Sequence, residues 1–348
     1  MSVKNKTKSL ILFSVKLGIA GAIVYYFLLR NPEEVFSGFR QFDWKYIAAA
    51  ALLYFCHMLA AAWRWGFLAK ILGVRLGHFE TISLTMQGYF FSLVIPGGAI
   101  GGDVVKMGVL SKRTPAGAKF EGIFTILMDR IIGMIALFSM ALILIPLNFT
   151  TLTRLDIPGI PADSTISFLL PVSILLLCFA GLAASCVIFF HKILSRIPLI
   201  NFFMQWGDKL SHGLISRMTA ATDVYSQNFK ELFLLVIVSI FGVHLLTALP
   251  VCLLLSGMGA AYSVNTVVTA LTVGNIIGLI PLFPAGLGGR DVTAIAILTA
   301  GGIAVADAKT AQLLYTTILL IVSLADGLFF VFDRGRKQTF EKPEEKNE

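Results

Sequence analysis

Six stretches of this chain are apolar over about 20 residues or more, the length that crosses a bilayer core of about 30 Å as a helix. They are 9–29, 46–68, 122–147, 165–190, 232–256 and 309–332. Inside lipid every backbone N–H and C=O must find its partner within the protein, and a helix does so within one segment. The runs therefore predict an all-α, polytopic transmembrane helix bundle. Composition agrees: 57% of the 348 residues are hydrophobic and 14% charged, against about 45–50% and about 25% in soluble domains. The longest polar connection, 191–231, is too short for a separate catalytic domain.

Lys4, Lys6 and Lys8 stand before the first run, and "AGA" at Ala20–Ala22 resembles a leader cleavage site. The run continues through "IVYYFLL", which is long for a leader and right for a span. It is read as a retained first helix. The cysteines, Cys56, Cys178, Cys186 and Cys252, lie in apolar runs without C-x-x-C spacing. They read as small buried apolar residues, and no metal and no cofactor are expected.

Two further apolar stretches, about 82–110 and 265–305, are broken in nearly the same way. "VIPGGAIGGD" runs from Val94 to Asp103, and "LFPAGLGGRD" from Leu282 to Asp291. Each has Pro, Gly, a Gly-Gly pair and an Asp seven positions after the Pro. Proline removes a helical donor and glycine permits a turn. Non-helical backbone at membrane depth is tolerated only where protein or a wet cavity covers it. A helix restarting after each glycine cluster would present free N–H groups and a partial positive charge, an arrangement suited to anions. Close packing through small residues is the plainer explanation of the same glycines.

If each broken stretch enters and leaves on one side, the basic residues sort by side. Of the 28 Lys and Arg, 19 fall on the side of the termini and 6 on the other. That asymmetry places both termini in the cytoplasm of a plasma (inner) membrane. The hairpins would then enter from opposite faces, as in a weak inverted repeat. In 191–231, Trp206, Leu210, Leu214 and Met218 recur near helical spacing. They read equally as an amphipathic surface helix or an ordinary connecting helix. The chain divides into a transmembrane domain, 1–335, and a polar disordered tail, 336–348.

A charge at the centre of a span costs about 2.5–3.5 kcal/mol on insertion scales, so such groups usually face the interior with partners. The candidates are Arg64, Asp103, Lys106, Asp129, Arg130, Arg290, Asp291 and Asp326. Arg64 lies near the end of its run and could snorkel instead. Lys106 reads alternatively as an interfacial cation. His57 and His244 read as packed histidines with one hydrogen bond each. There is no G-x-S-x-G, H-E-x-x-H or P-loop sequence, so no enzyme activity is expected. The basic residues flank apolar segments, and no nucleic-acid partner is expected.

"QGYFFSLVIPGGAIGGDVVKM", "ILMDRIIGMIAL" and "LIPLFPAGLGGRDVTAI", with "RW" at Arg64–Trp65, resemble the membrane region of the lysylphosphatidylglycerol synthetase/flippase family. The motifs come in the family's order and cover about 10–335. The resemblance implies a bundle of about six full spans plus two oppositely oriented re-entrant hairpins, moving a lipid between leaflets. It carries over to Pro96, Gly97, Gly98, Gly101, Gly102, Asp103, Asp129, Arg130, Pro284, Gly286, Gly288 and Gly289. The chain departs in lacking the family's soluble synthetase domain and in having Asp291 where Glu is expected.

The expectation is a bacterial lipid translocase for an anionic or aminoacylated phospholipid or a polyprenyl-phosphate-linked lipid. The glycine-rich half-helix ends with Arg64, Arg130 and Arg290 would receive the phosphate, because a guanidinium fork grips it at two points. Asp129, Asp103 and Asp326 would hold the arginines in the empty state. The partner is a membrane lipid, with a homo-oligomer or an envelope-synthesis enzyme as a further partner. The alternatives are a membrane-embedded transferase acting on a lipid phosphate and a non-transporting scaffold for envelope lipid synthesis.

Overall fold

The computed structural model describes residues 43–95, 99–155, 164–279, 288–333 and 339–340. The first expected span, 9–29, lies outside them, as do Pro96, Gly97, Gly98, Pro284 and Gly286. The described chain is helical, as the apolar runs require. In order it forms α1 (Trp44–Ile71), α2 (His78–Val94), α3 (Ala99–Arg113), α4 (Lys119–Leu147), α5 (Phe149–Thr153), α6 (Thr165–Phe189), α7 (His191–Leu194), α8 (Pro198–Leu210), α9 (Leu214–Gln227), α10 (Phe229–Gly257), α11 (Val264–Gly278), α12 (Gly289–Ala300) and α13 (Val305–Val331). Among the described residues the one strand pairing is minute: β1 (Val74–Arg75) runs antiparallel to β2 (Thr339–Phe340), Val74 opposite Phe340. Two residues of the expected tail thus pair, and the rest of it lies outside the described residues.

Five described helices, α1, α4, α6, α10 and α13, are long and apolar enough to cross a membrane, and they are the expected spans from 46–68 onward. At 1.5 Å per residue, the 28 residues of α1 exceed the length needed. Burial separates two roles among them. Only 17% of the apolar window of α6 is buried, against 56% for α13. Leu169, Leu176, Leu177 and Phe179 of α6 stand exposed, as suits a helix with lipid as its solvent. Each broken stretch forms two helices, α2 and α3 in the first, α11 and α12 in the second.

The chain divides into two compact units. One comprises 1–58, 83–106 and 246–334, and the other 59–82, 107–245 and 335–348. In the first unit α11 packs along α12, and both α12 and the C-terminal part of α10 pack on α13. Its aromatic cluster joins Phe90 and Phe91 of α2 to Leu324 and Phe330 of α13. In the second, α4 packs against α6 and the N-terminal part of α10. Its core gathers Leu68 and Leu72 of α1, Phe124, Met128 and Ile132 of α4, Tyr225 of α9 and Leu235 of α10.

The helix restart at the first break differs from expectation. Helix α3 begins at Ala99, ahead of the Gly101–Gly102 pair, which sits inside its first turn. The reason is packing. A Cβ on Gly102 would run into the Gly88 carbonyl and the Ser92 hydroxyl of α2. One on Gly101 would meet Ile95 at 3.0 Å. These glycines let two backbones approach, the plainer of the two explanations above. At the second break the helix starts on the last glycine of its cluster. Gly288 takes φ +91°, in the left-handed region that favours glycine, and α12 starts at Gly289.

Candidate functional site

In the second unit the candidate charges meet through a match of spacing. Arg64 and Trp65 are adjacent on α1, and Thr125 and Asp129 lie one turn apart on α4. Arg64 Nε donates to Asp129 Oδ1 at 2.8 Å, and Trp65 Nε1 donates to Thr125 Oγ1 at 3.0 Å. The ion pair is buried, with side-chain exposures of 7% and 13%. Arg64 does not snorkel. Its Nη1 donates to Ser239 Oγ at 3.0 Å, and that hydroxyl donates onward to the Leu235 carbonyl at 2.6 Å. Ser239 opens a π-helical turn within α10, Ser239–Leu245, a widened turn often found at functional sites. Gly133, one turn beyond Asp129, leaves room for the guanidinium: a Cβ there would stand 3.2 Å from Arg64 Nη1.

Arg130 departs from its neighbour. Asp129 turns to Arg64, whereas Arg130 is exposed. Adjacency in the chain thus did not give the two charges the same exposure. His244 in the π turn donates Nε2–H to the Gly133 carbonyl at 3.0 Å, in keeping with a packed histidine.

In the first unit the second break builds a denser centre. Asp291 Oδ1 accepts from Arg290 Nε at 3.0 Å, Arg290 Nη2 at 2.8 Å, Gln312 Nε2 at 2.8 Å and Thr316 Oγ1 at 3.1 Å. Its Oδ2 accepts the Gly288 amide at 3.3 Å. A carboxylate thus sits on the opening turn of α12, where a helix N-terminus favours negative charge. Arg290 is buried, donates also to Thr316 Oγ1 at 3.1 Å, and lies 5.3 Å from the Tyr315 ring centroid. Gly274 of α11 lies against it, where a Cβ would meet the Arg290 carbonyl at 2.9 Å. The amide oxygen of Gln312 is buried without a hydrogen-bond partner among the described residues.

An aromatic chain leads away from this centre. Tyr315 meets the Tyr54 ring edge-on at 6.1 Å, and Tyr54 lies 4.7 Å from His57. His57 donates Nδ1–H to the Tyr54 carbonyl at 2.7 Å, and its Nε2 lies 3.3 Å from the Tyr89 hydroxyl. Asp103 and Lys106 of α3 are both buried. Asp326 is only 2% exposed, where α13 is interrupted before its last turns. Among the described residues its Oδ2 has no hydrogen-bond partner and no arginine pairs with it. Of the aspartates expected to hold arginines, Asp129 holds Arg64, and Asp326 holds none among the described residues. Asp291 takes that role for Arg290 instead.

Ser239, Gln312, Thr316 and Tyr315 were not among the sequence candidates. Gln312 and Thr316 carried a signal: two polar residues one turn apart in an apolar span. Ser239 carried none, since a lone serine bonding back to the carbonyl four residues earlier is common in apolar helices.

Two comparisons bear on this arrangement. A family profile described as the lysylphosphatidylglycerol synthase TM region matches residues 12–327. The chain belongs to this family. A UPF0104 membrane protein of Pyrococcus horikoshii is 23% identical over 297 residues, covering 84% of this chain and 88% of its own. The matched region contains both buried arginine–aspartate pairs and both broken stretches. The chain is thus a multi-pass membrane protein of the lysylphosphatidylglycerol synthase TM-region family.

Proposed function

We propose that this family member is a lipid translocase that passes a phosphate-bearing headgroup between leaflets while the acyl chains stay in lipid. The observation that carries the reading is the centre at the second break. There a buried arginine lies at the start of a half-length helix, neutralised by one aspartate and surrounded by polar side chains. A buried charge held this way costs desolvation, and a hydrophobic pair of similar volume would often be as stable. Retaining it makes sense if the arginine exchanges its aspartate for a ligand anion. Arg64 with Asp129 offers the same exchange, and Arg130 adds an exposed cation. Both aspartates are engaged by arginine rather than poised for acid–base work, which favours a carrier over a transferase.

In this reading the broken stretches are re-entrant hairpins, and their movement opens the headgroup path to one side at a time. The membrane is the plasma membrane with both termini cytoplasmic, following the distribution of basic residues. The substrate is an anionic or aminoacylated phospholipid or a polyprenyl-phosphate-linked lipid.

Reconstitution tests this. Fluorescent lipids of differing headgroup charge are placed in proteoliposomes, and leaflet exchange is followed by dithionite quenching. Arg130→Ala, at an exposed position, and Arg290→Lys, which keeps charge but loses the fork, are run beside the native chain. Headgroup-dependent exchange, reduced at least tenfold in both variants while each stays monodisperse, is the expected result. Absence of exchange for phospholipids and polyprenyl phosphates alike, with folded protein, overturns the proposal.

A further inference from the structure

The connection between α6 and α10 folds into a hairpin that the translocase reading leaves unused. Helix α8 reverses through His212 and Gly213, both with positive φ, into α9. Two contacts lock the pair. A Cβ on Gly207 would meet Ile215 Cδ1 at 2.8 Å, so the helices touch there. Asp208 Oδ1 accepts the Ser216 amide at 2.8 Å, and Oδ2 accepts the Ser216 hydroxyl. Helix α9 is in turn anchored: Tyr225 is buried, and its hydroxyl donates to the Leu68 carbonyl at 3.0 Å. One face of α8, at Gly207 and Asp208, is therefore turned to the protein.

The opposite face is apolar. At 100° per residue, Phe202, Trp206 and Leu210 fall within an arc of about 80° centred about 150° from the locked face. They are 63%, 59% and 71% exposed. Beside this arc lie Gln205 and Lys209, both exposed, and Arg196 is exposed just ahead of the helix. Lys192 is engaged with Asp223 at 3.1 Å; Lys209 borders the apolar arc, and Arg196 precedes the helix by two residues.

We infer that α8 lies in the headgroup layer of the membrane, with Phe202, Trp206 and Leu210 on the acyl chains and Arg196 and Lys209 on anionic lipid headgroups. Its tether selects this occupant. Spanning helix α6 ends at Phe189, α8 begins at Pro198, and spanning helix α10 begins at Phe229. Helix α9 packs on α4 and α6, so the hairpin is held to helices that cross the bilayer. An amphipathic helix there, with an aromatic in its apolar arc and cations at its margin, has the composition of interfacial helices. Juxtamembrane cations add attraction to anionic leaflets. The inference does not rest on lipid transport.

The test uses the full chain in nanodiscs made with phospholipids brominated near the headgroup end of their acyl chains. The emission of the native protein minus that of Trp206→Phe isolates Trp206. The expected result is at least twofold quenching of this component by bromine in phosphatidylglycerol-containing discs, with little quenching by aqueous acrylamide. Arg196→Gln with Lys209→Gln should lower the bromine effect to the level in neutral discs. Quenching by acrylamide but not bromine would place the helix in water. Protection from both would mean that protein, a second copy included, covers it. Either result overturns the inference. Equal bromine quenching in neutral and anionic discs would overturn the role given to Arg196 and Lys209.

Discussion

Asp129→Asn should be far more damaging than its size suggests. The substitution keeps an oxygen that can accept from Arg64 Nε but removes the charge. Arg64 then stays buried beside Gly133 without its counter-ion. Breaking one side of a buried pair costs about 3–5 kcal/mol. The small residual exposure and the bond retained to Ser239 argue for the lower end, about 3 kcal/mol. At about 2 °C per kcal/mol for a large domain, the unfolding midpoint should fall by roughly 6 °C. The double variant Arg64→Met with Asp129→Leu removes both charges. It strands no donor at Ser239, whose hydroxyl already donates to Leu235. Such replacements are often neutral or stabilising by about 1–4 kcal/mol, so the midpoint should return to that of the native chain or rise above it. The assay is thermal unfolding of detergent-solubilised protein, followed as loss of the monodisperse chromatographic peak. A double variant as unstable as Asp129→Asn would refute the reasoning, because the pair would then be worth more than the cost of burying it. A double variant that is stable yet inactive in the exchange assay would separate the functional arginine from its structural burden.

Two other outcomes follow from the same geometry. Gly102→Val should force α2 and α3 apart at Gly88 and Ser92 and destabilise by about 1–3 kcal/mol as an overpacked contact. Gly108→Val on the same helix, where nothing lies within 4 Å, should cost little by the same unfolding assay. The Ser216 hydroxyl and amide hold the Asp208 carboxyl below its ordinary value of 3.8. A depressed folded-state value means that the clip stabilises α8–α9 above the ordinary carboxylate value and is lost as pH falls through the lower, folded one. Hydrogen exchange at the Ser216 amide should therefore lose its protection in that acidic window, and Asp208→Asn should remove the pH dependence.

The legibility of the chain followed the kind of force involved. Burial in lipid acts on whole segments, so α1, α4, α6, α10 and α13 could be read from runs of apolar residues alone. The breaks were legible because proline and glycine act on the backbone locally. The meaning of the glycines was not. Gly102 and Gly288 belong to the same motif pattern, yet one permits a close helix approach and the other a left-handed turn, and only the neighbouring backbone tells them apart.

The charges show the division most clearly. Sequence alone determined that Arg64, Asp129, Arg290, Asp291 and Asp326 stand in apolar surroundings, because the cost of burying a charge depends on the run that carries it. Which charge met which was decided in three dimensions. Arg64 is 65 residues from Asp129 and 175 from Ser239. Arg290 takes its immediate neighbour, with Thr316 from another helix. Arg130, beside Asp129 in the chain, is exposed, and Asp326 meets no arginine among the described residues. Pairing depends on helix rotation and on the helix packed opposite. Both are set by the tertiary fit of many side chains at once, and no local pattern encodes them.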